Sequence, residues 1–161
     1  MARPVVGWGV WRGGFLLPNK GYVALVEAFD ALRAQQPALR LLLQTPEYPA
    51  EASRAYRAEL EARIAASPWA QDIVLDHRFL SEAETLARLA AADRLVYPTQ
   101  ATGESSSASV RWGLAVDRPV AVSTAPIFAD VREVVYTLPG EDAAALTIGL
   151  GKWLSEPCPY E

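Results

Sequence analysis

The amino-acid sequence predicts a single doubly wound α/β domain built on a parallel sheet of about six strands. Short apolar, β-branched segments alternate along the chain with longer segments whose apolar residues recur every three or four positions. The short segments are apolar at nearly every position, as expected of strands buried on both faces. The longer segments are long enough to be helical crossovers, which join parallel strands. A length of 161 residues suits one domain over residues 1–161, without a linker or an internal repeat.

The first half of the chain contains the signals for three strands and two crossover helices. The predicted elements are a strand over residues 4–10, a helix over 21–37, a strand over 38–44, a helix over 51–67 and a strand over 72–75. In the first helix one apolar stripe is expected to pack on the sheet, and it consists of Tyr22, Leu25, Val26, Phe29 and Leu32. The second helix is rich in Ala, Glu and Arg, with apolar residues at four-residue spacing.

The second half continues the same alternation. Its predicted elements are a helix from Ser81 to Ala90, a strand from Arg94 to Tyr97, a helix from Ser105 to Val116, strands over 119–123 and 133–138, and a helix over 141–154. Ser81 and Glu84 form a capping box, which fixes the start of the first of these helices. Continued alternation favours a doubly wound sheet over a sandwich or a helical bundle.

Composition and charge exclude several classes of partner. With 51% hydrophobic and 21% charged residues, the chain is expected to fold as an ordinary globular domain. The net charge of -4 gives no reason to expect nucleic acid or an anionic membrane surface as the main partner. No apolar run approaches the roughly 20 residues that a membrane span needs. The single cysteine, Cys158, cannot form an intramolecular disulfide, which fits a reducing, cytoplasmic setting.

The loop after the first predicted strand is suited to an anion. In an open parallel sheet, ligands collect beyond the carboxyl ends of the strands. Gly13 and Gly14 allow close backbone approach and Lys20 stands at the start of a helix, so together they suit a phosphate. The alternative is a plain turn with a solvated lysine, which is the more frequent role of a lone lysine. The stretch is not a dinucleotide fingerprint, because Arg12 stands where GxGxxG requires its third glycine.

The loop after the fourth predicted strand is the second candidate. Gly103 permits a tight turn, and Glu104 is predicted at the N-cap of the next helix. A carboxylate there accepts hydrogen bonds from sugar hydroxyls. The first helical turn offers small side chains and free N–H groups to a phosphate oxygen, at Ser105, Ser106 and Ser107. An acidic cap followed by polar filler explains the same residues equally well.

The loop after the third predicted strand is the third candidate. The backbone around Arg78 and Phe79 is expected to frame a flat ring. His77 is the only histidine, and no Ser, Cys or second His stands at catalytic spacing from it, so it is interpreted as a surface or loop residue. No cluster of His, Cys and carboxylates has metal-ligand spacing. Neither a metal site nor a bound cofactor is therefore predicted.

Several motifs, taken in order, resemble a known family. The chain contains GGFLLPNKG, a helix ending in LRAQQPALRLLL, then AADRLVYP, TGESSSASVRWGLAVDRPVAVS and a final helix after a PG turn. This succession resembles the C-terminal domain of family-four (group 1) GT-B glycosyltransferases over nearly the whole chain. The resemblance implies a domain that binds a nucleotide-diphospho-sugar donor. The acceptor would then be bound by an N-terminal Rossmann-like domain that is missing from this sequence.

The resemblance also implies roles for individual residues. Lys20 falls on the loop lysine that contacts the donor diphosphate. Glu104 falls on the first of two signature glutamates, which contacts the donor sugar, and these two residues take the catalytic roles. The other residues predicted at the donor site are Gly14, Phe79, Ser105, Ser106 and Ser107.

Two positions depart from the family pattern. Phe15 replaces an arginine that often precedes the loop lysine, so one positive charge expected at the diphosphate is missing. Trp112 falls on the second glutamate, which typically holds the nucleotide ribose, and an indole cannot accept hydrogen bonds from a diol. The serines at 105–107 replace a glycine-rich helix start. The donor base and sugar therefore stay open.

The activity implied by the resemblance is retaining, metal-independent transfer of a hexose-like sugar. Lys20 and the helix N-terminus near Glu104 would stabilise the departing diphosphate. The isolated domain is expected to be inactive, because the family builds its active site between two domains. One rival interpretation is a nonenzymatic nucleotide- or phosphoester-binding module. Another is an unrelated doubly wound enzyme such as a sugar epimerase, against which the missing dinucleotide fingerprint weighs.

Overall fold

A computed structural model describes residues 5–9, 15–102 and 107–157. The strands are β1 (Val5–Gly9), β2 (Arg40–Gln44), β3 (Ile73–Asp76), β4 (Arg94–Tyr97), β5 (Val120–Val122) and β6 (Tyr136–Thr137). All pairings are parallel, and the six strands form one sheet in the order β3-β2-β1-β4-β5-β6. The predicted doubly wound α/β class is confirmed. The order reverses between β1 and β4, which places the topological switch point, where such sheets bind ligands, between those strands.

Helices cover both faces of this sheet. They are α1 (Tyr22–Arg33), α2 (Glu51–Ala65), α3 (Glu82–Ala91), α4 (Ala108–Ala115) and α5 (Ala143–Ser155). One apolar cluster joins the sheet to α1, α2 and α5, and the other joins it to α3 and α4. Within β4, Val96 belongs to the first cluster while Leu95 and Tyr97 belong to the second, as period-two alternation requires. None of the helices in the described ranges is long and apolar enough to cross a membrane.

The segment before β6 differs from its prediction. A strand was expected over 133–138, but a 3₁₀ helix occupies Pro126–Val134 and the strand is limited to Tyr136–Thr137. The proline opens the helix, where its missing N–H costs nothing. Three apolar side chains of the helix are buried in the second cluster, and these are Ile127, Phe128 and Val131. These buried residues precede the predicted strand, and within 133–138 the 3₁₀ helix continues to Val134 while Tyr136 and Thr137 pair with β5, so the strand is shorter than its β-branched composition suggests.

Candidate functional site

Four loops lie at the carboxyl edge of the sheet. Loop 1 follows β1, loop 2 follows β2, loop 3 follows β3 and loop 4 follows β4. Their described residues are, in that order, 15–21, 45–50, 77–81, and 98–102 with 107. Because the strands are parallel, all four loops emerge on one side, and loops 1 and 4 flank the switch point.

Backbone hydrogen bonds join neighbouring loops into one rim. Between loops 1 and 2, the Leu16 N–H donates to the Pro46 carbonyl at 2.9 Å. Between loops 2 and 3, the Glu47 N–H donates to the His77 carbonyl at 3.1 Å. Between loops 4 and 1, the Gln100 N–H donates to the Asn19 carbonyl at 2.8 Å. A ligand at this edge would therefore meet loops whose backbones hold one another in place.

Lys20 is buried beside the contact between loops 1 and 4. It ends a short 3₁₀ helix, Pro18–Lys20, and only 7% of the residue is exposed. The next residue, Gly21, has a φ of 76°, and a Cβ there would lie 2.1 Å from the carbonyl oxygen of Pro98. Only glycine allows loop 1 to press this closely on loop 4. Lys20 therefore lies in the loop beside the switch point, and its burial disagrees with the alternative of a solvated lysine.

The helix after loop 4 begins later than predicted. Its N-cap is Ser107, whose hydroxyl accepts a hydrogen bond from the Val110 N–H at 3.3 Å, and Ala108 is its first residue. The prediction that Glu104 is the N-cap is therefore wrong. The Ser107 hydroxyl satisfies the free Val110 N–H at the helix start, a role for which serine is as well suited as an acidic residue. The start of α4 still directs free N–H groups toward the carboxyl edge.

Several predicted site residues lie outside the described ranges. They are Gly14 of loop 1 and Glu104, Ser105 and Ser106 of loop 4. Their contacts to a donor therefore stay predictions. Of the predicted set, the structure places Lys20, Phe79 and Ser107 at the same edge of the sheet.

Loop 3 presents an exposed ring beside an internally paired arginine. Phe79 is 64% exposed, whereas His77 is half-buried and uses its carbonyl to join loop 2. The Arg78 guanidinium donates from Nε and Nη2 to the two carboxylate oxygens of Asp76, at 2.9 and 2.6 Å. This pairing lowers the pKa of Asp76 to about 2. Among the described residues, no group of three His, Cys, Asp or Glu side chains could hold a metal ion.

The two departures from the family pattern are packed into their surroundings. Phe15 lies against Tyr48 of loop 2, with ring centroids 4.7 Å apart at a tilt of 57°. Trp112 is half-buried against the second apolar cluster. Neither position offers a charged group to a ligand, so the arginine and the glutamate of the family pattern have no charged counterpart at Phe15 and Trp112.

Two tyrosines are fully buried below the loops. Burial raises the pKa of Tyr22 and of Tyr97 well above the ordinary value, so both hydroxyls stay neutral. The Tyr97 hydroxyl lies close to Gly113 of α4, where an added Cβ would come within 2.5 Å of it. Because both hydroxyls stay neutral, these side chains are not candidates for proton transfer.

Sequence reasoning missed three residues that shape this edge. Gly21 had a usable signal, since a glycine directly before a helix often marks a left-handed residue. Asp76 had a weaker one, because a carboxylate two residues before Arg78 can accept the backbone N–H of an Asx turn. Gln44 had none, because its partners are remote in sequence.

Comparison with known proteins gives matches only among solved structures. No protein-family model and no curated protein matches the sequence. The UDP-forming α,α-trehalose-phosphate synthase from Burkholderia xenovorans has a TM-score of 0.80 at 17% identity, over 97% of this chain and 37% of that one. The C-terminal domain of a glycosyl transferase group 1 family protein (LpcC) from Francisella tularensis gives 0.77 at 16% identity, over 95% of this chain and 77% of that one.

A third match is a trehalose-6-phosphate synthase whose structure concerns enzymatic glycosyltransfer with retention. Its TM-score is 0.78 at 14% identity, over 97% of this chain and 38% of that one. At such low identities these likenesses establish the fold, which is that of one half of a GT-B glycosyltransferase. The resemblance to the group 1 C-terminal domain is confirmed at the level of the fold. The chain spans 37% of the length of the Burkholderia synthase.

Proposed function

We propose that this chain is the donor-binding half of a GT-B glycosyltransferase and binds a nucleoside-diphosphate sugar at its carboxyl edge. The observation that carries the proposal is the burial of Lys20 in loop 1, directly before the contact of Gly21 with Pro98 of loop 4 beside the switch point. A fixed ammonium in low-dielectric surroundings attracts a phosphate more strongly than a solvated one. The structures of similar fold include two synthases and a group 1 transferase domain.

The proposed chemistry is stabilisation of a leaving diphosphate. As the bond from the sugar to the diphosphate breaks, negative charge grows on the phosphate oxygens. Lys20 and the free N–H groups at the start of α4 would hold that charge without a metal ion. Glu104 would hold the sugar through its hydroxyls, and Gly14 would let the backbone approach the diphosphate closely.

The nucleoside part is assigned to loop 3. Phe79 is the exposed aromatic ring of that loop, and a flat base needs an apolar face of this kind. The Arg78 guanidinium is oriented toward Asp76 through its Nε and Nη2, so we assign the base to Phe79 rather than to Arg78. Retention at the sugar carbon is proposed from the trehalose-6-phosphate synthase of similar fold.

The proposal makes this chain half of an enzyme. An acceptor-binding domain would face the carboxyl edge and close the cleft in which a hexose-like sugar is transferred. The isolated chain is therefore proposed to bind donor without transferring it. A single cysteine fits a cytoplasmic setting for this reaction.

A second candidate is a nonenzymatic nucleotide- or phosphoester-binding module. The observations that favour it are the Phe15–Tyr48 pair and the packed Trp112, since both remove charged donor contacts. Such a module would bind bare nucleoside diphosphates at least as well as their sugar-bearing forms. The glycosyltransferase half would bind the intact nucleotide sugar more tightly, because its site also contacts the sugar.

The direct test replaces each of the two lysines of the chain in turn. Lys20→Met removes the buried charge, whereas Lys152→Met removes an exposed one on α5 and serves as the matched control. We expect Lys20→Met to weaken binding of a nucleoside diphosphate by about 1.5–3 kcal/mol, the usual value of a charge-assisted hydrogen bond. Lys152→Met should leave the affinity unchanged. Equal affinities of both variants and the parent in calorimetry would exclude the proposed site.

A further inference from the structure

We propose that Asp76 and Gln44 are positioning residues, which hold loop 3 in the conformation that receives the nucleoside part of the ligand. The inference rests on the proposed function and adds residues that touch no ligand themselves. They act through the backbone of residues 76–78, which leads directly to the exposed Phe79.

Asp76 ties the loop to two arginines and to its own backbone. It ends β3 and is 9% exposed. One carboxylate oxygen accepts the Arg78 N–H at 3.1 Å as well as the Arg78 Nε. The other accepts Nη2 of Arg78 and, at 3.1 Å, Nη2 of Arg88 on α3. A single buried carboxylate thus fixes the turn after β3 and attaches it to the next helix.

Gln44 holds the same turn from the neighbouring strand. It ends β2, is 3% exposed, and its Nε2 donates to the carbonyl of Asp76 at 3.2 Å and of Arg78 at 3.4 Å. Two carbonyl oxygens on the amide nitrogen fix which way the side chain points, because a flipped amide would face them with its own oxygen. Within the described residues that oxygen accepts no hydrogen bond. An apolar side chain would avoid that cost, so the amide is best explained by what its nitrogen holds.

Loop 2 completes the support. The Thr45 N–H donates to the Asp76 carbonyl at 3.0 Å, and the Glu47 N–H donates to the His77 carbonyl at 3.1 Å. The carbonyls of residues 76, 77 and 78 all therefore accept hydrogen bonds from β2 or loop 2. A loop held in this way needs no ordering when a ligand arrives, and ordering a loop on binding would reduce affinity.

The same strand provides a matched control at its other end. Asp72 immediately precedes β3, is 7% exposed, and pairs with Arg33 and Arg40, each at 2.9 Å. It resembles Asp76 in burial and in having two arginine partners, but it lies at the amino edge, away from loops 1 to 4. If Asp76 served only the stability of the domain, its replacement and the replacement of Asp72 should therefore affect ligand binding to the same extent.

The experiment compares Asp76→Asn and Gln44→Met with Asp72→Asn. Each variant is titrated calorimetrically with uridine, adenosine and guanosine diphosphates and with inorganic pyrophosphate, and its melting temperature is recorded. We expect the nucleoside diphosphate that the parent binds best to bind roughly tenfold more weakly to both loop 3 variants, a loss of about 1.4 kcal/mol. Pyrophosphate affinity should stay within about twofold of the parent, because it reports the anion site rather than loop 3.

Amide hydrogen exchange distinguishes a local loosening of loop 3 from a general loss of stability. Exchange at residues 77–79 should increase in the two loop 3 variants and not in Asp72→Asn, even if all three melt at lower temperature. The inference is overturned if Asp72→Asn loses as much nucleoside diphosphate affinity as Asp76→Asn, or if pyrophosphate affinity falls in parallel. If the parent chain binds none of the nucleoside diphosphates, the proposed function itself fails, and this inference with it.

Discussion

Gly21 is the residue on which the contact between loops 1 and 4 depends. Its φ of 76° is unfavourable for any residue with a side chain, and an added Cβ would overlap the Pro98 carbonyl oxygen. Gly21→Ala is therefore expected to lower the free energy of unfolding by about 2 kcal/mol or more, from backbone strain together with displacement of loop 4. Urea denaturation measures the loss.

Gly151→Ala is the control for that experiment. Gly151 lies inside α5, and its added Cβ would come 3.3 Å from the end of the flexible Leu32 side chain. The change should be less than about 1 kcal/mol, since alanine is the better helix former and the leucine can move. Similar losses in the two variants would contradict the special role of Gly21.

Asp76 should make the stability of the domain sensitive to acid. Its pKa is 3.8 in an ordinary environment and about 2 in the fold, because the paired Arg78 favours the carboxylate. A group with a lowered folded pKa contributes fully above the unfolded value and loses that contribution as the pH falls through the folded one. The parent should therefore lose more stability than Asp76→Asn between about pH 4 and pH 2. Chemical denaturation across that range checks this, and parallel curves would contradict it.

Single residues were predictable where their chemistry is local. Lys20 and Phe79 were placed at the carboxyl edge because each follows a recognisable strand, and the structure finds both there. Glu104 was assigned to the N-cap because acidic residues favour that position, but Ser107 takes it. The role of Gln44 could not be predicted, because the two carbonyls that it binds lie 32 and 34 positions further along the chain.

At the scale of elements, the end of α5 is held by a buried arginine. Arg94, 7% exposed at the start of β4, donates to the Trp153 carbonyl at 2.7 Å and to the Glu156 carbonyl. Its guanidinium also lies 4.9 Å from the centroid of the Trp153 ring. It thus satisfies carbonyls that a helix end leaves free. Arg94→Met should destabilise the domain by about 1.5–3 kcal/mol, the range for hydrogen bonds to a charged group.

The control for Arg94 is an exposed arginine with one carboxylate partner. Arg111 on α4 pairs with Asp130, and both side chains are largely exposed to solvent. Arg111→Met should change the stability by less than about 1 kcal/mol, as is usual for surface ion pairs. Thermal unfolding of the two variants compares them, and equal melting temperatures would show that Arg94 does not hold α5.

Elements were predictable where pattern and packing agree. The stripe on α1, the capping box of α3 and the strand β4 all appear where the sequence placed them. The short length of β6 did not follow from the pattern, because the β-branched residues within 133–138 favour a strand although the 3₁₀ helix continues to Val134. The start of α4 was predicted too early, because Ser107 and an acidic residue before it are both favourable N-caps and the pattern does not choose between them.

At the scale of the whole molecule, the alternation of strands and helices was enough to predict the fold class. The order of the strands in the sheet could be learned only from the structure. Alternating strands and helices predict a doubly wound sheet, but they do not say between which strands the order reverses. The structure locates the reversal between β1 and β4, where the lysine-bearing loop meets loop 4. The fold of a GT-B half and a buried lysine in the loop beside its switch point are together the basis of the proposed function.

The most direct test of that function is a calorimetric titration of the parent chain. The ligands are uridine, adenosine and guanosine diphosphates and, as the competing class, NAD. Lys20 beside the switch point and the absent dinucleotide fingerprint predict that at least one nucleoside diphosphate binds roughly tenfold or more tightly than NAD. Tighter binding of NAD, or no binding of any nucleoside diphosphate, would contradict the assignment of this chain as a nucleotide-sugar donor domain.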